Sequence, residues 1–260
     1  MSDNQSSSSA SSEYQNSTPQ RGLQAVIGHM TSNKVSALLW MTRMTTMFLT
    51  FCYLIPLFGF NPYSCYYKAL MSNAATSALR LHQRLPNFQF NREFLALLLI
   101  EDSCHYLFYS LIFLYAYPIT LVLLPIFLFA LLHSASYSIS ILDKLGQNSG
   151  WLARSLMSLV GQQQINILRL VAFTEIFLMP LTLFMIFTGR GSLLTPFVYY
   201  RFLTLRYASR RNPYTRNVFH ELRLSIEMQA NHPRCPETLR RFCHSAIAFV
   251  TRLAPPVTAQ

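Results

Sequence analysis

The sequence predicts an all-α, multi-pass integral membrane protein with hydrophobic hairpins and C-terminal amphipathic helices. Three observations carry this. Of 260 residues, 52% are hydrophobic and only 12% are charged, against about 25% charged in an ordinary soluble domain. Apolar runs at 37–59, 94–137 and 166–188 meet the ~20 residues that cover the ~30 Å hydrocarbon core of a bilayer. The net charge of +11 is also uneven: from Arg190 onward, eleven arginines face only Glu221, Glu227 and Glu237. Cations flanking a membrane run mark the cytosolic side, so the C-terminus is expected there.

The chain divides into a polar tail (1–35), a membrane helical domain (36–211) and a basic cytosolic region with amphipathic helices (212–260). The tail is rich in Ser, Gln and Asn. It lacks the apolar groups needed to offset ordering entropy and is expected to be disordered. It holds two glycosylation sequons, at Asn4 and Asn16, and no apolar core of a cleavable signal peptide. Five cysteines with no CxxC give neither a disulfide framework nor a zinc site.

In the first run, Trp40 and Arg43 suit an interface, where the cation can snorkel to the headgroups. Residues 63–85 mix aromatics, small residues and cations. Ala74 and Ala78 have small-xxx-small spacing, and Arg80, His82 and Arg84 crowd the far end. This stretch reads as an interfacial or partly buried helix rather than a span. The 94–137 block is either two spans joined at Pro118 or a wedge-like hairpin. Glu101 and Asp102 sit inside it, and each charge near a helix centre costs roughly 2.5–3.5 kcal/mol on insertion scales. His105 lies four residues after Glu101, in reach of pairing on a helix. Residues 138–164 are polar enough to leave the membrane.

The 166–188 run contains Arg169 and Glu175 and stops at Gly189-Arg190-Gly191. The shorter run SLLTPFVYYRFLTL follows, with Arg201, Arg206, Arg210 and Arg211 in and beyond it. Past Pro213, two helices have one-sided faces. In the second, Leu239, Phe242, Cys243, Ala246, Val250 and Leu253 share one side, with Arg240, Arg241, His244 and Arg252 away from it. Such a helix lies in a lipid interface or docks on its own bundle. Arg201, Arg206, Arg210, Arg211, Leu239, Arg240, Arg241, Phe242, Val250 and Arg252 are therefore the candidate lipid-contacting residues, and the anionic cytosolic leaflet is the expected partner.

Charge also orders the loops. Returning hairpins at 94–137 and 191–205 bring the basic stretches 60–93, 138–169 and the C-terminal region to one side. The N-terminal tail is then expected on the lumenal side.

No HExxH, GxSxG, Gly-rich phosphate loop or metal-ligand cluster occurs, so no enzyme, cofactor or metal is expected. Glu101, Asp102, His105 and Glu175 are the intramembrane ionisable residues. They serve either an ion or solute path or, on the preferred reading, hydrogen bonding between helices. As plain hydrogen-bond partners, Glu101 and Glu175 should tolerate replacement by Gln. Aromatics alternate with arginines in YYRFLTLRYASRRNPYTR, as in nucleic-acid patches. The block abuts a membrane run, however, where Tyr and Arg are anchors, so no nucleic-acid partner is expected.

The segments LRLHQRLPNFQF (79–90), EDSCHYLFYSLIF (101–113), EIFLMP (175–180), YYRFLTLRYASRRNPY (199–214) and AFVTRLAP (248–255) resemble the transmembrane protein 33 family. That family is also called the Krüppel homologue 2 family and has yeast pore-membrane relatives. The resemblance implies a protein of the endoplasmic reticulum and nuclear envelope, associated with reticulons, tubular membrane shape, nuclear pore assembly and the unfolded-protein response. It implies no catalytic residues. By position, the membrane-contacting amphipathic helix of the fungal branch corresponds to 236–254. A scaffold recruiting a cytosolic partner through the basic C-terminal region is the alternative class.

Overall fold

Six helices run back and forth as three antiparallel hairpins in the computed structural model, which describes residues 22–55, 59–85, 91–209 and 211–255. Those residues form eleven helices and no strand. Pro56, Pro86, Arg210, Pro256 and the sequons at Asn4 and Asn16 lie outside the described residues.

The first hairpin is α2 (Lys34–Leu54) with α3 (Pro62–Arg84). Asn61 caps α3 by accepting from the Tyr63 N–H, with Pro62 in the first turn. Thr76 donates to Thr42 at 2.9 Å, while Thr46 donates to Ser72 at 3.0 Å. Positions rise on one helix as they fall on the other. The second hairpin is α5 (Asp102–Leu114) with α6 (Thr120–Leu145), where the Tyr109 hydroxyl donates to the Val122 carbonyl at 2.9 Å. The third is α8 (Gln164–Phe187) with α9 (Leu194–Ala208), where the Tyr199 hydroxyl donates to the Glu175 carbonyl at 2.7 Å.

The starts of α2, α5 and α8 and the ends of α3, α6 and α9 gather at one end of the bundle. Lys34, Arg84, Lys144 and Arg206 make this the basic end. The remaining helices attach here: α1 (Leu23–Ser32), α4 (Arg92–Ile100), α7 (Trp151–Gly161), α10 (Tyr214–Ala230) and α11 (Glu237–Leu253). At the opposite end the Tyr53 hydroxyl bonds Thr120 at 2.8 Å, and Arg190 lies over the Tyr117 ring at 5.5 Å.

The packing is inside out relative to a soluble bundle. Thr46, Thr50, Thr174, Glu175 and Thr182 are buried, while Phe48, Phe51, Phe173, Phe177 and Phe184 are exposed. Lipid is the solvent that favours this, because backbone and side-chain polar groups must be satisfied within the protein. By length and composition α2, α6 and α8 can each cross a membrane, and α4 with α5 makes a fourth span if the bent pair counts as one. The interior holds Tyr66 and Leu70 of α3, Tyr109 and Phe113 of α5, Ile126 of α6, Leu178 of α8, and Tyr199 and Phe202 of α9. Tyr109 and Phe113 meet edge-on at 4.9 Å, as do Phe113 and Tyr199 at 5.5 Å.

Several expectations change. Residues 23–32, inside the stretch read as a disordered tail, form α1. Of the two readings of 63–85, the partly buried one holds: α3 packs beside α2 and α5 with one face buried. Several of its polar groups bond neighbouring helices: Asn73 donates to Ser110 at 2.8 Å, and Ser72 donates to the Thr42 carbonyl at 2.8 Å. Its close contact runs through Ala69, Asn73, Thr76 and Ser77, whereas Ala78 is exposed. The 94–137 block breaks at Glu101, where α4 and α5 meet at an 80° bend, as well as near Pro118. The described N-terminus is not opposite the C-terminal region either. The Gly22 N–H donates to the Lys144 carbonyl at 3.0 Å, at the basic end. The extra transit along α3 is what reverses the side.

The turn after α8 needs its glycines. Gly189 has φ +70°, the left-handed region, and the Arg190 N–H closes on the Met185 carbonyl at 3.1 Å. A Cβ on Gly191 would lie 2.9 Å from the Ile186 nitrogen. Gly191→Ala is expected to cost about 1–3 kcal/mol by overpacking against backbone, read as a lower thermal midpoint in detergent. Epitopes placed beside Gly22 and beside Ala254 should be digested by protease from the same face of sealed microsomes. Opposite protection would contradict the three-hairpin path.

Candidate functional site

Arg206, on the last turn of α9, points into the bundle and is fully buried. Its Nε donates to Glu175 of α8 at 3.1 Å, and its Nη1 donates to Asp102, the first residue of α5, at 3.1 Å. The guanidinium lies 5.3 Å over the Tyr106 ring. Glu175 is equally buried and takes a short bond from the Tyr106 hydroxyl on its other oxygen. The Ser209 hydroxyl donates to Asp102 at 3.4 Å. Arg206 thus ties the third hairpin to the second, and both Glu175 carboxylate oxygens are occupied.

Glu101 sits at the α4–α5 bend with extended backbone. It accepts from Arg84 at 2.7 Å and from Arg211 at 2.6 Å. These two cations, from α3 and from the segment before α10, draw the carboxylate out of the helical path. His105 does not pair with Glu101. Its Nε2 donates to the Leu99 carbonyl at 2.7 Å, and its Nδ1 stands 3.8 Å from Asp102. Arg169 pairs with Glu221 of α10 at 2.7 Å, not with Glu175. Each of the three carboxylates Glu101, Asp102 and Glu175 is thus paired with an arginine, while Arg206 Nη2 and His105 Nδ1 are buried without a hydrogen-bond partner among the described residues. Among the described residues, no group of three or more His, Cys, Asp or Glu is placed to hold a metal.

The candidate lipid-contacting residues separate into two sets. Arg206 is sealed inside and leaves the set, and Arg210 lies outside the described residues. Arg211 is half exposed and paired with Glu101. Arg201, Arg241 and Arg252 are exposed, with Arg241 also paired to Glu237 at 2.5 Å. Helix α11 has no buried residue. It is held at its edges, by Arg240 Nε donating to the Ala230 carbonyl at 3.1 Å and by the Tyr200 hydroxyl donating to the Leu253 carbonyl at 2.9 Å. Leu239, Phe242, Phe249, Val250 and Leu253 stay exposed, Phe242 by 70%. The apolar face does not dock on the bundle.

Sequence reasoning missed Tyr106, Tyr199 and Arg84 as partners of these charges. It also missed α7, whose Trp151, Leu152 and Met157 are exposed while Ala153 is buried. The helical spacing of Trp151, Leu152, Leu156, Leu159 and Val160 was the available signal.

A buried charge whose partner is removed is costly, about 3–5 kcal/mol. Arg206→Met should therefore lower stability by about that amount, and Glu175→Gln should also be harmful rather than silent. Arg206→Met combined with Glu175→Met should recover most of the loss. The measurement is thermal unfolding of the detergent-purified chain, and a silent Arg206→Met would show that the network carries no stability.

Residues 18–256 match the family described as Transmembrane protein 33/Nucleoporin POM33. Over 229 residues the chain is 53% identical to Transmembrane protein 33 of Rattus norvegicus and 52% identical to that of Homo sapiens, covering 88% of this chain and 93% of each relative. It is 47% identical over 238 residues to Krueppel homolog 2 of Drosophila melanogaster, covering 90% of this chain and 85% of that protein. No solved structure matches the chain. With spans long and apolar enough to cross a bilayer and a match that extends over nearly its whole length, the chain is an integral membrane protein and belongs to the Transmembrane protein 33/Nucleoporin POM33 family.

Proposed function

We propose that this protein shapes or regulates membrane architecture in the endoplasmic reticulum and nuclear envelope, with its basic end in the cytosol. The observation that carries this reading is the uncovered apolar face of α11 at an end already crowded with α1, α4, α7 and α10. Helices lying in one leaflet expand it relative to the other and favour curvature. Arg201, Arg241 and Arg252 are placed to hold anionic headgroups of the cytosolic leaflet. The word nucleoporin in the family description supports a nuclear-envelope role, and the family resemblance supports interplay with reticulon-like proteins, nuclear pore components and the stress response. The pairing of Glu101, Asp102 and Glu175 favours a structural role for them over ion transport. No enzymatic activity is proposed.

The test is the full chain reconstituted in liposomes containing anionic lipid. The wild type should narrow or tubulate them, less so at high salt. Phe242→Glu with Val250→Glu should lose most of that effect while remaining folded. Undiminished tubulation would reject the role of α11, and loss of a cytosolic protein partner instead would favour a scaffold. In glycosylating microsomes Asn4 and Asn16 should stay unmodified, and glycans there would place the basic end in the lumen.

A further inference from the structure

A cavity of about 260 Å³ opens at the basic end between α2, α3, α5, α6 and the α7–α8 junction. Arg43, Arg80, Arg84 and Arg211 line it, with Asp102 as its one carboxylate lining residue. Arg84 and Arg211 are both satisfied by Glu101, and Asp102 is taken by Arg206. Arg43 and Arg80 make no ion pair among the described residues. Arg80 Nη1 donates instead to His133 Nε2 at 3.1 Å, which requires that ring nitrogen to be unprotonated. Arg43, expected to snorkel outward, turns into this cavity. Two guanidinium groups thus share one partly buried space whose carboxylate is already engaged by Arg206, an arrangement that a bound anion would favour.

We infer that this cavity binds the phosphate of an anionic lipid headgroup from the adjoining leaflet. Guanidinium groups present planar pairs of donors that match phosphate oxygens. At about 30 Å³ per water, the space exceeds a bare ion and suits a phosphorylated headgroup. Its walls are mixed: Phe129, Leu132 and Leu168 add apolar surface beside the arginines. A lipid needs both kinds of wall, whereas a free phosphate uses only the polar one. Arg80 lies one turn before the end of α3, at the basic end of the bundle. The inference rests on this end facing a leaflet and not on the curvature role of α11.

The experiment uses the full chain in phosphatidylcholine nanodiscs, with or without a minor fraction of phosphatidylinositol monophosphate. Native mass spectrometry reads retained lipid, and the thermal midpoint reads the effect of binding. The charged lipid should be retained and should raise the midpoint. Arg43→Gln with Arg80→Gln should weaken binding on the order of tenfold or more, as lost charge-assisted bonds imply. Without charged lipid the double variant should be no less stable than wild type, because two like charges are gone. Arg43→Gln alone, at a side chain with no protein hydrogen bond among the described residues, should weaken binding several-fold and guards against misfolding. Arg154→Gln, an exposed cation outside the cavity, should change nothing. Wild-type lipid retention by both cavity variants would overturn the site. Equal binding of soluble inositol phosphate or inorganic phosphate in plain phosphatidylcholine would overturn the lipid source. Lost tubulation with retained lipid binding would affect only the proposed function.

Discussion

One charge in a place without water governs the assembly: the Arg206 guanidinium, enclosed by α5, α8 and α9. In a low-dielectric interior an unpaired ion costs several kcal/mol, so the helices around it are constrained to deliver carboxylates. Glu175 arrives from the middle of α8 and Asp102 from the first turn of α5. Tyr106 and Tyr199 complete the surroundings, one bonding the Glu175 carboxylate and the other its backbone carbonyl. The relative heights of three helices follow from that single set of contacts.

The neighbouring carboxylate, Glu101, shows the same requirement at a helix end. It is held between Arg84 and Arg211 at the point where α4 departs from α5 at 80°. A segment that hydropathy alone would run straight through the bilayer therefore lies partly aside, at the basic end. The interior of the bundle is aromatic and partly polar, with threonines and tyrosines bonded across helices and Phe113 and Phe202 packed inside, while Phe48, Phe51, Phe173, Phe177 and Phe184 face outward. This is the arrangement in which van der Waals packing and interhelical hydrogen bonds, rather than apolar burial, hold helices together.

Asymmetry between the two ends connects structure to function. The five helices outside the hairpins and most of the cations collect at one end, and tight turns close the other. Arg43 and Arg80 face inward to a cavity, while Arg201 and Arg252 face outward beside the open face of α11. The same excess of charge is thus divided between a partly buried space and an exposed surface.

Much of this was legible in the residues themselves. Run length and composition determined that the chain enters a membrane, and a 3.6-residue period determined the one-sided face of α11, because both are local properties. Breaks near Gly189 and Pro118 were legible for the same reason. Tertiary structure alone decided which ions meet, since Arg206 pairs with Glu175 31 positions away and with Asp102 104 away, and Arg211 reaches Glu101 across 110. It also decided that α3 belongs inside. A helix with so many polar groups looks interfacial until its partners are known, and once those partners satisfy its hydrogen bonds the composition no longer argues against burial. That one transit is why the described N-terminus lies at the same end as the C-terminal helices.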